Sequence, residues 1–224
     1  VKDIISQISY FIQERAAYGH SLKYYDQEVA PQILERFEKF KAITEQFFIR
    51  PLRDVQIWCA FYMYEMQKTS NFSVPGAGKT TMNYATFAYL NSPEVDKVDR
   101  LVVFCPKNAF LAWKTEFKAN FGENLSLKVV DVQKKKYTPT EFLLACGDAN
   151  LILVNYEVVA KYQEPLKHII NERTMLVLDE IHRIKGLTSS RAIAVKDVAQ
   201  KASYKYALTG TPIPNTYEDI YNLL

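Results

Sequence analysis

The chain has 224 residues, 48% hydrophobic and 24% charged, with a formal net charge of +3 at pH 7. This is globular composition with apolar material for a sizeable core, and it excludes a disordered tail, a collagen-like rod and a disulfide-stapled miniprotein. No stretch approaches the roughly 18–20 apolar residues of a membrane span, and Asp3, Gln7, Gln13, Glu14 and Arg15 interrupt any signal-peptide core, so an intracellular protein without a membrane partner is expected, in the cytoplasm or at the nucleoid or nucleus.

Residues 1–50 read as a helical arm. Ile4, Ile5, Ile8, Phe11 and Ile12 share one helical face, and Ile33, Leu34, Phe37, Phe40, Ile43 and Phe47 repeat the pattern after Pro31. Tyr18, Gly19 and His20 mark a turn between them. The simplest role is a helical cover for the core, with a docking arm as the alternative. The arm carries seven basic and seven acidic side chains, so the positive excess falls in residues 51–224. An excess this small does not by itself announce nucleic acid.

From residue 51 the pattern changes to short apolar runs separated by helical stretches. The runs are 71–74, 101–105, 127–132, 151–155, 175–178 and 204–208. They are continuous rather than alternating, which suits strands covered on both faces. Strands alternating with helices predict an α/β domain over 51–224 with a central, mostly parallel sheet. Lys134, Lys135 and Lys136 form a solvated loop in this reading. Cys59, Cys105 and Cys146 are widely spaced, with no C-x-x-C pair and no neighbouring His, and read as reduced cysteines rather than a zinc site.

Chemistry enters at Ser73-Val-Pro-Gly-Ala-Gly-Lys-Thr80, between the first run and a helical stretch at 82–90. Strand, glycine-rich loop and helix are the context of a Walker A loop, whose amides and helix N-terminus face phosphate. Lys79 would reach the β- and γ-phosphates and the Thr80 hydroxyl would ligate magnesium, with Pro75, Gly76, Ala77, Gly78 and Thr81 completing the cradle. The pattern expects Gly at position 73, where this chain has Ser. A chance match to G-x-G-K-[ST] in such a chain is on the order of one in a hundred.

The run at 175–178 delivers Asp179 and Glu180 at its C-terminal end, where ligands bind in open α/β sheets. Asp179 would hold Mg2+ through water, and Glu180 would orient and deprotonate an attacking water. Thr209-Gly-Thr211 follows the last run and presents hydroxyls at the same edge.

In this order the motifs resemble the first RecA-like lobe of a superfamily-two helicase of the Swi/Snf-like group. Leu52-Arg53-Asp-Val-Gln56 resembles the adenine-reading Q motif, which gives Arg53 and Gln56 to the nucleotide. Val103-Phe-Cys-Pro106, followed by Trp113, Glu116 and Phe117, resembles motif Ia, expected to face a DNA backbone; Trp113 reads as core packing ahead of a base-stacking platform. Ile152–Glu157 resembles the motif that follows. Asp179-Glu-Ile-His-Arg-Ile-Lys185 is similar to the DEAH box, with Ile181 where Ala is usual. Leu208–Asn215 resembles motif III, with Pro214 where Gln is frequent.

The resemblance implies ATP and Mg2+ as cofactors, catalytic roles for Lys79, Asp179, Glu180 and His182, and double-stranded DNA as the polymer moved. His182 would link the ATP site to motif III, although a bare histidine at a strand end is more often a structural one. Lys107, Asn108, Arg183, Lys185, Thr209 and Thr211 are the candidate nucleic-acid contacts. The resemblance also implies a second RecA-like lobe as partner, supplying an arginine finger worth about 10³–10⁵ in rate. The 224 residues are therefore expected to be part of a longer enzyme and, alone, weakly active or inactive. The alternative is a nucleotide-responsive module without translocation, which intact Lys79, Asp179 and Glu180 argue against.

Overall fold

The computed structural model describes residues 31–184 and 190–210. The first predicted helical run, the turn at 18–20, Lys185 and Thr211 lie outside these residues, as does the side chain of Arg183.

Contacts divide the chain after Ala42. The second apolar run forms a helix, α1 (Pro31–Phe47). Residues 43–50 belong with the larger unit, although the change in hydrophobic pattern falls after residue 50. The reason is direct packing: the Phe48 ring meets Phe121 edge-on at 4.9 Å, and the Ile49 amide donates to the Asn120 carbonyl at 2.8 Å.

The larger unit is built on a six-stranded sheet. Its strands are β1 (Lys68–Asn71), β2 (Arg100–Phe104), β3 (Val129–Asp131), β4 (Leu151–Val154), β5 (Thr174–Asp179) and β6 (Tyr204–Leu208). The spatial order is β1-β6-β5-β2-β4-β3, and every pairing is parallel. Around them lie α2 (Asp54–Met66), α3 (Lys79–Asn91), α4 (Phe110–Phe121), α5 (Pro139–Ala145), α6 (Gln163–Ile169) and α7 (Ser190–Ala199).

Val102, Phe104, Ile152, Val154 and Leu176 pack in one core with Phe142, Tyr162, Leu166, Val195 and Val198 from the α5–α7 side. Their alternate neighbours Leu101, Val103, Leu151, Leu153, Met175 and Val177 are just as completely buried. Both faces of the central strands are thus covered, as continuous apolar runs require.

Strand β1 departs from the sequence expectation. It ends at Asn71, where the predicted run begins, and its residues Lys68-Thr-Ser-Asn71 are polar. At the edge of the sheet its residues are exposed or only half-buried, so it lacks the apolar signature of the others. Phe72 and Val74, 39% and 70% exposed, belong to the loop beyond it.

Helix α3 is buried at ten consecutive positions, Thr81–Leu90. A helix enclosed on every side is held as rigidly as a core strand. Tyr84 fixes it to α4, with its hydroxyl 2.6 Å from the Trp113 carbonyl and its ring edge-on to Trp113, Phe117 and Phe121 at 5.3–5.6 Å.

Phe121, fully buried in this aromatic cluster, should be costly to truncate. Phe121→Ala is expected to lower unfolding free energy by about 3–5 kcal/mol, read as a reduced urea midpoint by circular dichroism.

Candidate functional site

The site follows from register. Asn71 on β1 is level with Leu208 on β6, and Leu208 is level with Asp179 on β5. Three adjacent strands therefore end at one height, and the glycine-rich loop, the Asp-Glu pair and Thr209-Gly210 leave the sheet side by side.

Asn71 organises the loop. Its Oδ1 accepts the Ser73 amide at 3.0 Å and also the Ser73 hydroxyl, while its amide nitrogen lies 3.3 Å from the Met82 sulfur. Serine at the position where the motif expects glycine thus has work of its own: it pins the loop's first turn. Gly76 and Gly78 hold φ values of +84° and +91°, which side-chain-bearing residues rarely adopt. A Cβ at Gly78 would also lie 2.3 Å from Gln56 Nε2, so a side chain there would push the end of the glutamine out of place.

Lys79 Nζ donates to the Ser73 carbonyl at 2.9 Å and the Val74 carbonyl at 3.4 Å, so the ammonium is folded back over its own loop. Arg53 Nη2 and Gln56 Nε2 both donate to the Ala77 carbonyl, at 2.9 and 3.3 Å. Gln56 Oε1 accepts the Arg53 amide at 3.1 Å, which orients the glutamine from the first turn of α2. The first amides of α3 have no intrahelical acceptor and form its positive end. These groups, with Thr80, Thr81, Asp179 and Glu180, line one cleft of about 700 Å³.

Asp179 is held at both ends. Trp113 Nε1 donates to its Oδ2 at 2.9 Å, and the Tyr156 hydroxyl donates to its carbonyl at 2.8 Å. Burial raises its pKa above the ordinary carboxylate value and Glu180 adds to this, while the indole bond and Lys79 pull the other way. Glu180 sits in the left-handed region at φ 50°, ψ 50°, a conformation that costs a non-glycine residue on the order of 1–3 kcal/mol. His182 Nδ1 lies 3.2 Å from Glu180 Oε2 and 2.9 Å from Thr209 Oγ1, bridging the carboxylate and the end of β6. Gly210 lies against the loop: a Cβ there would meet Pro75 at 3.0 Å and lie 3.7 Å from Lys79 Nζ.

One candidate changes role. Thr209 is fully buried, so its hydroxyl faces His182 rather than a phosphate backbone. Lys107 and Asn108 are exposed on a short turn before α4. Trp113 is 1% exposed and is a core residue.

Arg50 and Glu116 line the cleft without having been read as part of it. Arg50 Nη2 donates to Glu116 Oε2 and to Asn120 Oδ1, both at 2.8 Å, and the Thr81 hydroxyl donates to the same Glu116 oxygen at 3.3 Å. No local pattern marks Arg50, because it follows a helix of the arm and reaches the cleft only through the packing of residues 43–50 on α4.

The donor set fits a nucleotide with a hard cation. Amides and Lys79 are donors for an anion, whereas Thr80 and Asp179 are oxygen donors in the same cleft, as Mg2+ prefers. A parallel sheet carrying such a loop opposite an Asp-Glu strand end is the RecA-like fold of P-loop proteins. Residues 62–224 match the SNF2-related domain, and the chain belongs to that family.

Among its relatives is a probable ATP-dependent DNA helicase, CHR23, of Arabidopsis thaliana, 28% identical over 66% of this chain and 14% of that protein. Mouse SWI/SNF-related matrix-associated actin-dependent regulator of chromatin subfamily A member 1 is 26% identical over 89% of this chain and 20% of its own length. The chain thus spans a fifth or less of these relatives. The Sulfolobus solfataricus SWI2/SNF2 ATPase core in complex with double-stranded DNA superposes with a TM-score of 0.61, at 28% identity over 79% of this chain and 36% of that one.

Two outcomes follow from the geometry. Gly78→Ala should strain the loop and displace Gln56, abolishing nucleotide binding in a fluorescent-ADP titration and costing more than about 1 kcal/mol of stability. Asp179→Asn should raise the melting temperature by a few degrees. A carboxylate whose folded pKa is raised contributes stability below its unfolded pKa and loses it as pH rises through the folded one. The neutral amide escapes that loss, so thermal scans of the two proteins should diverge as pH rises from the acid range to neutrality.

Proposed function

We propose that this chain is the ATP-binding motor lobe of a DNA-dependent ATPase that translocates along double-stranded DNA, and that it works with a second RecA-like lobe. The observation that carries the reading is the convergence of Lys79, Asp179 and Glu180 on one cleft at the level ends of β1, β5 and β6. A place inside the cell, beside DNA, belongs to the same proposal.

In this mechanism Arg53 and Gln56 receive the adenine end, and the Gly76–Gly78 amides with the α3 N-terminus receive the phosphates. Lys79 exchanges its two loop carbonyls for phosphate oxygens, so its charge is presented without a strong internal ion pair to break. Thr80 and Asp179 would hold Mg2+, which would supply positive charge beside the phosphates. Glu180 accepts the proton of the attacking water, its carboxylate steadied by His182. His182 in turn touches Thr209, so a shift of motif III reaches the general base through two contacts. Lys107 and Asn108 contact duplex phosphates and position the DNA without reading its sequence. Without the arginine finger of a second lobe, turnover by these residues alone is slower by about 10³–10⁵.

The test is steady-state ATP hydrolysis by the polypeptide that includes both lobes, titrated with duplex DNA, single-stranded DNA and RNA. Selective stimulation by duplex is expected, and Lys79→Ala should lower the stimulated rate by at least about a hundredfold. ATP binding without stimulation by any nucleic acid would replace the motor with a nucleotide-responsive module.

A further inference from the structure

Among the polar contacts of helix α4 with the cleft, two lie one turn apart and meet the proposed cation site. Trp113 Nε1 donates to Asp179 Oδ2 at 2.9 Å, and Glu116 Oε2 accepts the Thr81 hydroxyl at 3.3 Å. Both partners are proposed cation ligands or their immediate neighbours. We propose that Trp113 is a positioning residue that sets the Asp179 carboxylate for a divalent cation, an inference that rests on the nucleotide-site reading above.

The chemistry favours an indole at this place. Its N–H is a donor with no acceptor capacity and no charge. It fixes the rotation of the carboxylate and steadies the anion, yet cannot ligate a metal or repel one. A lysine or arginine there would compete with the cation for the same oxygen. Outer-shell donors of this kind orient ligating carboxylates at metal sites generally.

The packing makes the indole a reference point for both ligand-bearing elements. Trp113 is 1% exposed, and its ring lies edge-on to Tyr84 at 5.3 Å. Tyr84 belongs to α3, the helix that starts with Lys79 and Thr80. The Tyr84 hydroxyl bonds the backbone carbonyl of Trp113, not its side chain, so α4 keeps this anchor when the indole is replaced. One residue thus touches both Asp179 and the helix that carries Thr80, on a helix that follows the exposed Lys107–Asn108 turn.

The test compares Trp113→Phe, which keeps a packed ring and removes the donor, with Phe117→Leu, a packing change on the same helix away from the cleft. Mn2+ binding to the 224-residue chain is followed by electron paramagnetic resonance at saturating ADP. Fluorescent-ADP affinity is measured separately in EDTA. Trp113→Phe should weaken Mn2+ about tenfold and leave metal-free ADP affinity within about twofold, whereas Phe117→Leu should leave both unchanged despite a lower melting temperature.

A Mn2+ affinity in Trp113→Phe within twofold of the parent overturns the proposal, as does an equal loss in Phe117→Leu. Asp179→Asn separates the two levels: if it leaves Mn2+ binding intact, the cation-site reading itself fails and the inference with it. Should Trp113→Phe not fold, the parent protein still decides the matter. The indole N–H resonance of Trp113, one of two tryptophans, should be downfield and slow to exchange, and should move in Asp179→Asn. An indole signal indifferent to that substitution refutes the contact.

Discussion

The site depends on one constraint, the level termination of three neighbouring parallel strands. Asn71, Leu208 and Asp179 lie in register across β1, β6 and β5. Parallel strands send all their C-terminal ends to one edge of the sheet, and crossovers on both faces keep the loops there short and close. A one-residue slip of β1 against β6 would move Asn71 off the level of Leu208 and withdraw the loop from Gly210. The hydrogen-bonded ladder thus does the placing that would otherwise need many side-chain contacts.

Around that edge, charge is held by partners that can be exchanged cheaply. Lys79 rests on two neutral carbonyls rather than on Asp179. Asp179 is steadied by a neutral indole. Glu180 is carried on a strained left-handed backbone that its neighbours must over-determine. The arrangement gives up stability at the sheet edge and leaves each group available. The Arg50–Glu116 pair at the rim is about 47% and 35% exposed, so its Coulombic contribution to folding is about 0–1 kcal/mol. Its consequence is geometric, because it ties residues 43–50 to α4 and to Thr81.

Rigidity is concentrated where the cleft needs a fixed floor. Ten successive buried positions make α3 part of the core rather than a surface helix. Tyr84 locks it to α4, and the Thr86 hydroxyl reaches the Ala60 carbonyl of α2 at 3.1 Å. The three helices behind the glycine-rich loop therefore move together if they move. Most polar groups of the site are mounted on this block and on strand ends, while the glycine-rich loop and the Arg50–Pro51 segment supply the irregular parts of the cleft wall.

Sequence alone determined most of the fold class and supplied the candidate residues of the site. Continuous apolar runs reported a doubly covered parallel sheet, and Gly76, Gly78, Lys79, Thr80, Asp179 and Glu180, read from short local motifs, do line one cleft. Tertiary structure decided the rest. The edge strand β1 escaped the apolar pattern because its residues are polar and incompletely buried. Thr209 looked like a ligand-facing hydroxyl until packing buried it against His182. Arg50, Glu116 and the Trp113–Asp179 bond join residues 66 or more positions apart. Such contacts carry no local signature, because nothing within one turn or one strand of each residue responds to the partner it meets only after folding.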